Sequence, residues 1–142
     1  MWLVMLKAFQ AMSNYGLASI AASGLCDSDF RILEILLHKG PLPVNSIGVR
    51  VNLTPGSISV AIDRLVAKGL VSRVETETDR RVKMVSLTRA GRAFITPIFE
   101  KHIAEMRRPF EGLSENELEK FESLLKHVGR GAESLFRKRC EK

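Results

Sequence analysis

A threonine–proline pair at 54–55 and a glycine at 69 bracket a segment of helical length, and no other feature of the 142 residues limits the fold as tightly. Thr54 is a strong N-cap, and Pro55 suits the first helical position, where a backbone N–H is not needed. Gly69 stands where a helix ends on a left-handed residue. Between them Ile58, Ile62 and Leu65 recur at helical spacing and mark a buried stripe. Upstream, Pro43 opens a shorter helix in which Val44, Ile47 and Val51 share a face and Gly48 leaves room for close packing; Asn52-Leu53 then turns the chain. Downstream, residues 70–74 and 82–87 read as two strands around the polar turn Glu75-Thr76-Glu77-Thr78-Asp79-Arg80-Arg81. In the second strand Val82, Met84 and Ser86 alternate with Lys83, Val85 and Leu87.

The rest of the chain reads as helix. A first helix covers about 3–22. Asp27-Ser28-Asp29 opens a second, with Phe30, Leu33, Ile35, Leu36 and Leu37 as its apolar side and Gly40-Pro41 as its end. Thr88 caps a long helix carrying Phe94, Ile95, Ile98, Phe99, Ile103 and Met106, kinked near Pro97 and ended by Pro109. Ser114 and Glu117 form a capping box for the last helix, with Leu113 and Leu118 as its staple. Its apolar face is Leu118, Phe121, Leu124, Leu125, Val128, Leu135 and Phe136. The expected fold is mainly α with a small β-hairpin wing. It is a winged helix–turn–helix over 25–108, linking helix included, flanked by helical dimerisation segments 1–24 and 109–142. In this motif the second helix of the pair enters the major groove of DNA.

Ala8 to Cys26 carries no charge, so a membrane or export segment has to be weighed. Gln10, Ser13, Asn14, Ser19 and Ser23 make it too polar for a span, and Lys7 follows the first apolar residues instead of preceding them. The expectation is a helix buried on much of its surface, and no membrane. Two cysteines, Cys26 and Cys140, make no disulfide framework, which fits a reducing cytoplasm; His38, His102 and His127 lie far apart, so no metal site or other cofactor is expected. The motifs of hydrolases, phosphate loops, zinc proteases and dinucleotide enzymes are absent from the sequence, so an enzyme is not expected.

Net charge is +6, which alone permits nucleic acid, lipid or an acidic protein as partner. Its distribution is more telling. Residues 54–92 hold eight basic and four acidic side chains, so two thirds of the excess lies in 39 residues. That is a local electrostatic footprint of the kind a nucleic-acid-binding element carries, although a solvated face without a partner would look the same to a charge count.

Five runs carry a resemblance: Leu53-Thr54-Pro55-Gly56-Ser57-Ile58-Ser59, Ile62-Asp63-Arg64-Leu65, Lys68-Gly69-Leu70-Val71-Ser72-Arg73, Asp79-Arg80-Arg81 and Val85-Ser86-Leu87-Thr88-Arg89-Ala90-Gly91. Together they resemble the MarR (multiple antibiotic resistance regulator) family over about 25–92; the flanking helices fit by position and pattern only. The resemblance implies a homodimeric transcription factor on a pseudo-palindromic operator in double-stranded DNA, often answering to a small ligand or an oxidant. The arginine of the Asp-x-Arg pattern, here Arg81, would enter the minor groove while Asp79 holds the wing in shape.

Physical chemistry supports particular contacts. Thr54, Ser57 and Ser59 place hydroxyls at a helix N-terminus where backbone N–H groups are open to phosphate, and Gly56 allows close approach; simple capping explains the same hydroxyls. Arg64 and Lys68, with Arg73, can reach backbone or base edges. Val60 stands where the family often has a basic residue. It cannot donate a hydrogen bond but can touch a thymine methyl, which leaves the base preference there open. Arg80, Arg81 and Lys83 on the wing suit the negative potential of a narrow minor groove, or only solubility. Asp63 is expected to brace an arginine of the wing, since a carboxylate beside phosphate is repulsive.

Cys26 replaces a helix-capping Thr or Ser of the family. A thiol there is a candidate redox residue, but family members that sense hydroperoxides carry their cysteine in the first helix near paired tyrosines, and this chain has only Tyr15. A small buried residue is the simpler reading. Tyr15, Arg31, His38 and His102 are candidates for a pocket that takes a small aromatic or acidic effector, each equally explained as a surface or interface residue. The sequence thus points to a DNA-binding regulator, with a redox sensor using Cys26 and a winged-helix protein-binding module as alternatives.

Overall fold

The computed structural model describes residues 1–75 and 83–141. The chain divides into two units, residues 1–106 and 107–142. The first contains α1 (Trp2–Ala21), α2 (Asp27–Lys39), β1 (Leu42–Pro43), α3 (Val44–Arg50), α4 (Pro55–Ala67), β2 (Val71–Glu75), β3 (Lys83–Leu87) and nearly all of α5 (Arg89–Arg107). The second contains a short 3-10 turn (Arg108–Phe110) and α6 (Glu115–Cys140).

The punctuation operates as expected. The Thr54 hydroxyl accepts from the Ser57 N–H at 3.2 Å, Pro55 begins α4, and Gly69 takes φ +70° after Lys68 closes the helix. Asn52 makes the turn between α3 and α4 with φ +56°. Ile58, Ile62 and Leu65 are fully buried, with Ala61 beside them. Gly48 lies against Ile58, where a Cβ would meet its Cγ2 at 3.3 Å, so α3 and α4 pack as closely as the glycine suggested.

The strands form one antiparallel sheet in the order β1-β3-β2. Val71 pairs with Leu87 and Glu75 with Lys83, while Leu42 pairs with Val85 on the other edge. Strand β1 was not foreseen: two residues around a proline carry no alternation, and only the neighbouring β3 makes them a strand. Val85, at the centre, is fully buried and sets the inward face of the hairpin. Val82, counted in the second strand from sequence, lies outside the described residues.

Helix α2 is the hub. It packs against α1, α4 and β3. Burial therefore wraps further round it than a single stripe: Phe30, Ile32, Leu33 and Leu36 are buried, whereas Ile35 and Leu37 are only partly covered. Helix α5 starts against the turn after α4. The Thr88 hydroxyl donates to the Gly69 carbonyl at 2.7 Å and accepts from the Gly91 N–H at 2.9 Å. A Cβ on Gly91 would stand 1.8 Å from the Leu70 carbonyl oxygen, so only glycine fits. The helix continues through Pro97 and stops at Arg107, two residues before Pro109.

The expectation that the first helix is buried on much of its surface is not met within the chain. Only Gly16 and Ile20 of α1 are buried, while Trp2, Leu3, Val4 and Phe9 are 65–69% exposed. One short contact face cannot cover a helix of 20 residues whose only charge is Lys7. In the second unit, Ser114 and Glu117 form the full capping box, and the Phe110 and Phe121 rings lie 6.3 Å apart. The stripe Phe121, Leu124, Leu125, Val128, Leu135 and Phe136 is exposed along α6.

Candidate nucleic-acid interface

The N-terminal half of α4 presents Thr54, Gly56, Ser57, Ser59 and Val60 to solvent. Their chemistry is partly taken up locally. The Thr54 hydroxyl donates to Ser57 Oγ at 2.9 Å, and the Ser59 hydroxyl donates to the Pro55 carbonyl at 3.0 Å. Val60 is 63% exposed. Pro55 carries no N–H and those of Ser57 and Ile58 bond to Thr54, so an anion approaching this end of the helix meets chiefly the exposed Gly56 backbone and the hydroxyls.

The basic side chains at the other end of α4 have partners that the sequence did not suggest. Arg64 Nε donates to both carboxylate oxygens of Asp29, at 3.2 and 3.0 Å, and Nη2 donates to Oδ1 at 2.5 Å. Lys68 Nζ lies 3.6 Å from the same carboxylate. Asp29 is 1% exposed, and a charge so placed is tolerable only when paired. Burial pushes its carboxyl up, but the hydrogen bonds and charge of Arg64, aided by Cys26 and Lys68, outweigh that and hold its pKa below the ordinary value. Asp29 was overlooked because an acid in a first helical turn already suits the helix dipole. Its spacing to Leu33 and Leu36, four and seven residues on, was the available signal that it faces inward.

Arg73 on β2 meets Asp63 of α4 at 2.6 Å, so this ion pair joins the helix to the hairpin. The expected contacts Asp79, Arg80 and Arg81 lie outside the described residues; the Lys83 backbone belongs to β3.

Cys26 is not the small buried residue expected. It is exposed at the N-cap of α2, where its backbone leads into the helix but its side chain makes no cap. Its Sγ lies 3.3 Å from Ser28 Oγ and 3.5 Å from Arg64 Nη2. Cys140 is also exposed.

A cleft of about 690 Å³ opens on the other side of α2. Arg31, His38 and His102 line it with Phe9, Met12, Phe30, Met106, Asp27, Glu34, Lys39 and Arg50. Arg31 Nε is bonded to Asp27 at 3.0 Å, His102 Nδ1 lies 3.1 Å from the Ser19 hydroxyl, and the His102 and His38 rings stack edge-on against Phe30 and Phe99. Tyr15 is not part of the lining; its hydroxyl donates to Glu105 Oε2 at 2.7 Å, tying α1 to α5. The structure thus groups three of the four candidate pocket residues. Among the described residues no cluster of His, Cys, Asp or Glu suits a metal ion, and no helix is long and apolar enough to cross a membrane.

A helix–turn–helix with its second helix exposed beside a two-stranded wing is the architecture of a DNA-binding regulator. Comparison with known proteins agrees. Residues 23–82 match the model of the MarR family. The HTH-type transcriptional regulator MhqR of Bacillus subtilis (strain 168) is 34% identical over 138 residues, spanning 97% of this chain and 95% of that protein. The chain belongs to the MarR family of transcriptional regulators, and its curated relatives are named as regulators, not enzymes. Two solved structures share the fold. One is a mutant MarR from E. coli complexed with operator DNA (TM-score 0.73, 21% identity, 88% of this chain and 90% of that one). The other is NadR in complex with 4-hydroxyphenylacetate (TM-score 0.73, 21% identity, 89% of each).

Proposed function

We propose that this protein is a cytoplasmic, sequence-specific repressor that binds a pseudo-palindromic operator as a homodimer. Helix α4 lies in the major groove of each half-site, and the wing at 75–83 reaches the adjacent minor groove through Arg81, with Arg80 and Lys83 on phosphate. The observation that carries this reading is the exposed N-terminal face of α4, tied to the hairpin by the Asp63–Arg73 pair. The operator complex of the E. coli MarR mutant, which has the same fold, supports it. The second copy covers the apolar faces of α1 and α6. The cleft beside α2 takes a small aromatic or acidic effector that releases the DNA; its size, its apolar walls and the cations Lys39 and Arg50, which with the Asp27-paired Arg31 outnumber Asp27 and Glu34, favour that class.

The test is a gel shift on the inverted repeat upstream of the protein's own gene. Binding should weaken with a log–log salt slope equal to several released counterions. Arg81→Ala should abolish specific binding and leave the dimer intact; normal operator binding by that variant removes the wing from the interface.

One observation favours a second mode of release. Exposed Cys26 touches Arg64, so an oxidised, anionic sulfur would compete with Asp29 for the guanidinium that holds α4. Peroxide should then release the wild type but not Cys26→Ser. Equal release of both leaves the cleft as the sole input.

A further inference from the structure

Four residues surround Val60 on the exposed face of α4: Gly56 and Ser57 one turn before, Asp63 and Arg64 one turn after. The two charged side chains of this set are engaged with partners in the chain, Asp63 with Arg73 at the surface and Arg64 with buried Asp29. Val60 is left standing at the centre, 63% exposed, and among the described residues it is not one of those packed against the hydrophobic core. A β-branched residue at an exposed helical site lowers helix propensity, so the fold gains nothing from it.

Gly56 points the same way by a separate argument. A Cβ built there meets nothing within 4 Å, and its φ is not left-handed. The fold therefore does not need glycine, although even in the first turn of a helix alanine is the better former. Space kept open on a surface, at a cost to the helix that presents it, suits the close approach of something outside the chain. Beside that space stands a rigid pair of methyl groups that has little rotamer freedom to lose.

In the major groove one base offers an apolar group: thymine, through its C5 methyl. We propose that Val60 reads the C5 methyl of one thymine in each half-site, with Gly56 leaving the room for that base edge to approach. The proposal rests on the DNA-binding reading above and adds to it the chemistry of one recognised position. Discrimination there comes from contact with a methyl group instead of from a hydrogen bond.

The experiment removes the methyl and nothing else. Preferred sites are first selected from a random duplex library with the full-length protein. Each thymine of the selected site is then replaced, symmetrically in both half-sites, by 2′-deoxyuridine, and Kd is measured by fluorescence anisotropy for wild type and Val60→Ala. One position should weaken the wild type about fourfold per half-site, the value of one buried methyl group. Val60→Ala should bind the thymine duplex more weakly and be nearly indifferent to uridine at that position, while responding like wild type elsewhere. Thermal unfolding should show Val60→Ala at least as stable as wild type, which separates lost contact from lost structure. A wild type that selects no sequence overturns the DNA-binding reading itself. A wild type that selects one, but shares every uridine response with Val60→Ala, overturns this proposal alone.

Discussion

Asp29 is 1% exposed, and the bidentate bridge from Arg64 is what makes its charge tolerable. Asp29→Asn should destabilise the protein by about 2 kcal/mol in urea unfolding at pH 7, at the modest end for a broken buried pair because the Arg64 side chain is 40% exposed and can rehydrate. The pH dependence has a definite sign. A carboxyl whose folded pKa lies below its unfolded one stabilises above the ordinary aspartate value, about 4, and loses that contribution as pH falls through the folded value. Wild-type stability should therefore drop more steeply than that of Asp29→Asn below about pH 4; parallel curves would mean the bridge is energetically silent. Two glycines should respond oppositely to the same change. Gly91→Ala forces a Cβ to 1.8 Å from the Leu70 oxygen and should cost about 3 kcal/mol or more, as severe overpacking does. Gly56→Ala meets nothing and, in the first turn of the helix, should stabilise by up to about 0.5 kcal/mol while weakening operator binding.

Among the elements, α4 is held from two sides. Arg64 fixes it to α2 through Asp29, and Asp63 fixes it to β2 through Arg73. The second pair is largely exposed and worth under about 1 kcal/mol. Its proposed value is positional: it sets the hairpin relative to the helix that reads the groove. Asp63→Ala should leave the melting temperature nearly unchanged and lower specific operator affinity, measured by anisotropy beside a non-specific duplex. Loss of affinity for both duplexes alike would argue against a bracing role. Much of this level was legible in advance. The cap at Thr54, the end at Gly69 and the Ser114–Glu117 box are local devices, readable because their partners lie within four residues. Strand β1 was not, since it exists only by pairing with β3 far along the chain.

For the protein as a unit, the apolar faces of α1 and α6 matter most. Trp2, Leu3, Val4 and Phe9 on one, and Leu124, Leu135 and Phe136 on the other, are exposed in a single chain. Apolar surface of this extent calls for cover, and the proposed two-fold operator would call for a two-fold protein. Light scattering should find a dimer for the full chain and a monomer for a chain lacking residues 1–20. A full-length monomer, or a truncated chain that still dimerises, would remove α1 from the proposed interface.

Apart from β1, the order of elements, the helix–turn–helix and its wing, the family, and the concentration of positive charge on that region could be read along the chain, because they depend on short-range periodicity, capping and spacing. What those charges are doing was settled by packing. It turned Arg64 and Lys68 toward a buried carboxylate 35 and 39 residues back in the chain, paired Arg73 with Asp63, exposed Cys26, and separated Tyr15 from the cleft that Arg31, His38 and His102 share. A long side chain bonds to whatever packing brings within its reach, and no local pattern records which distant residue that will be.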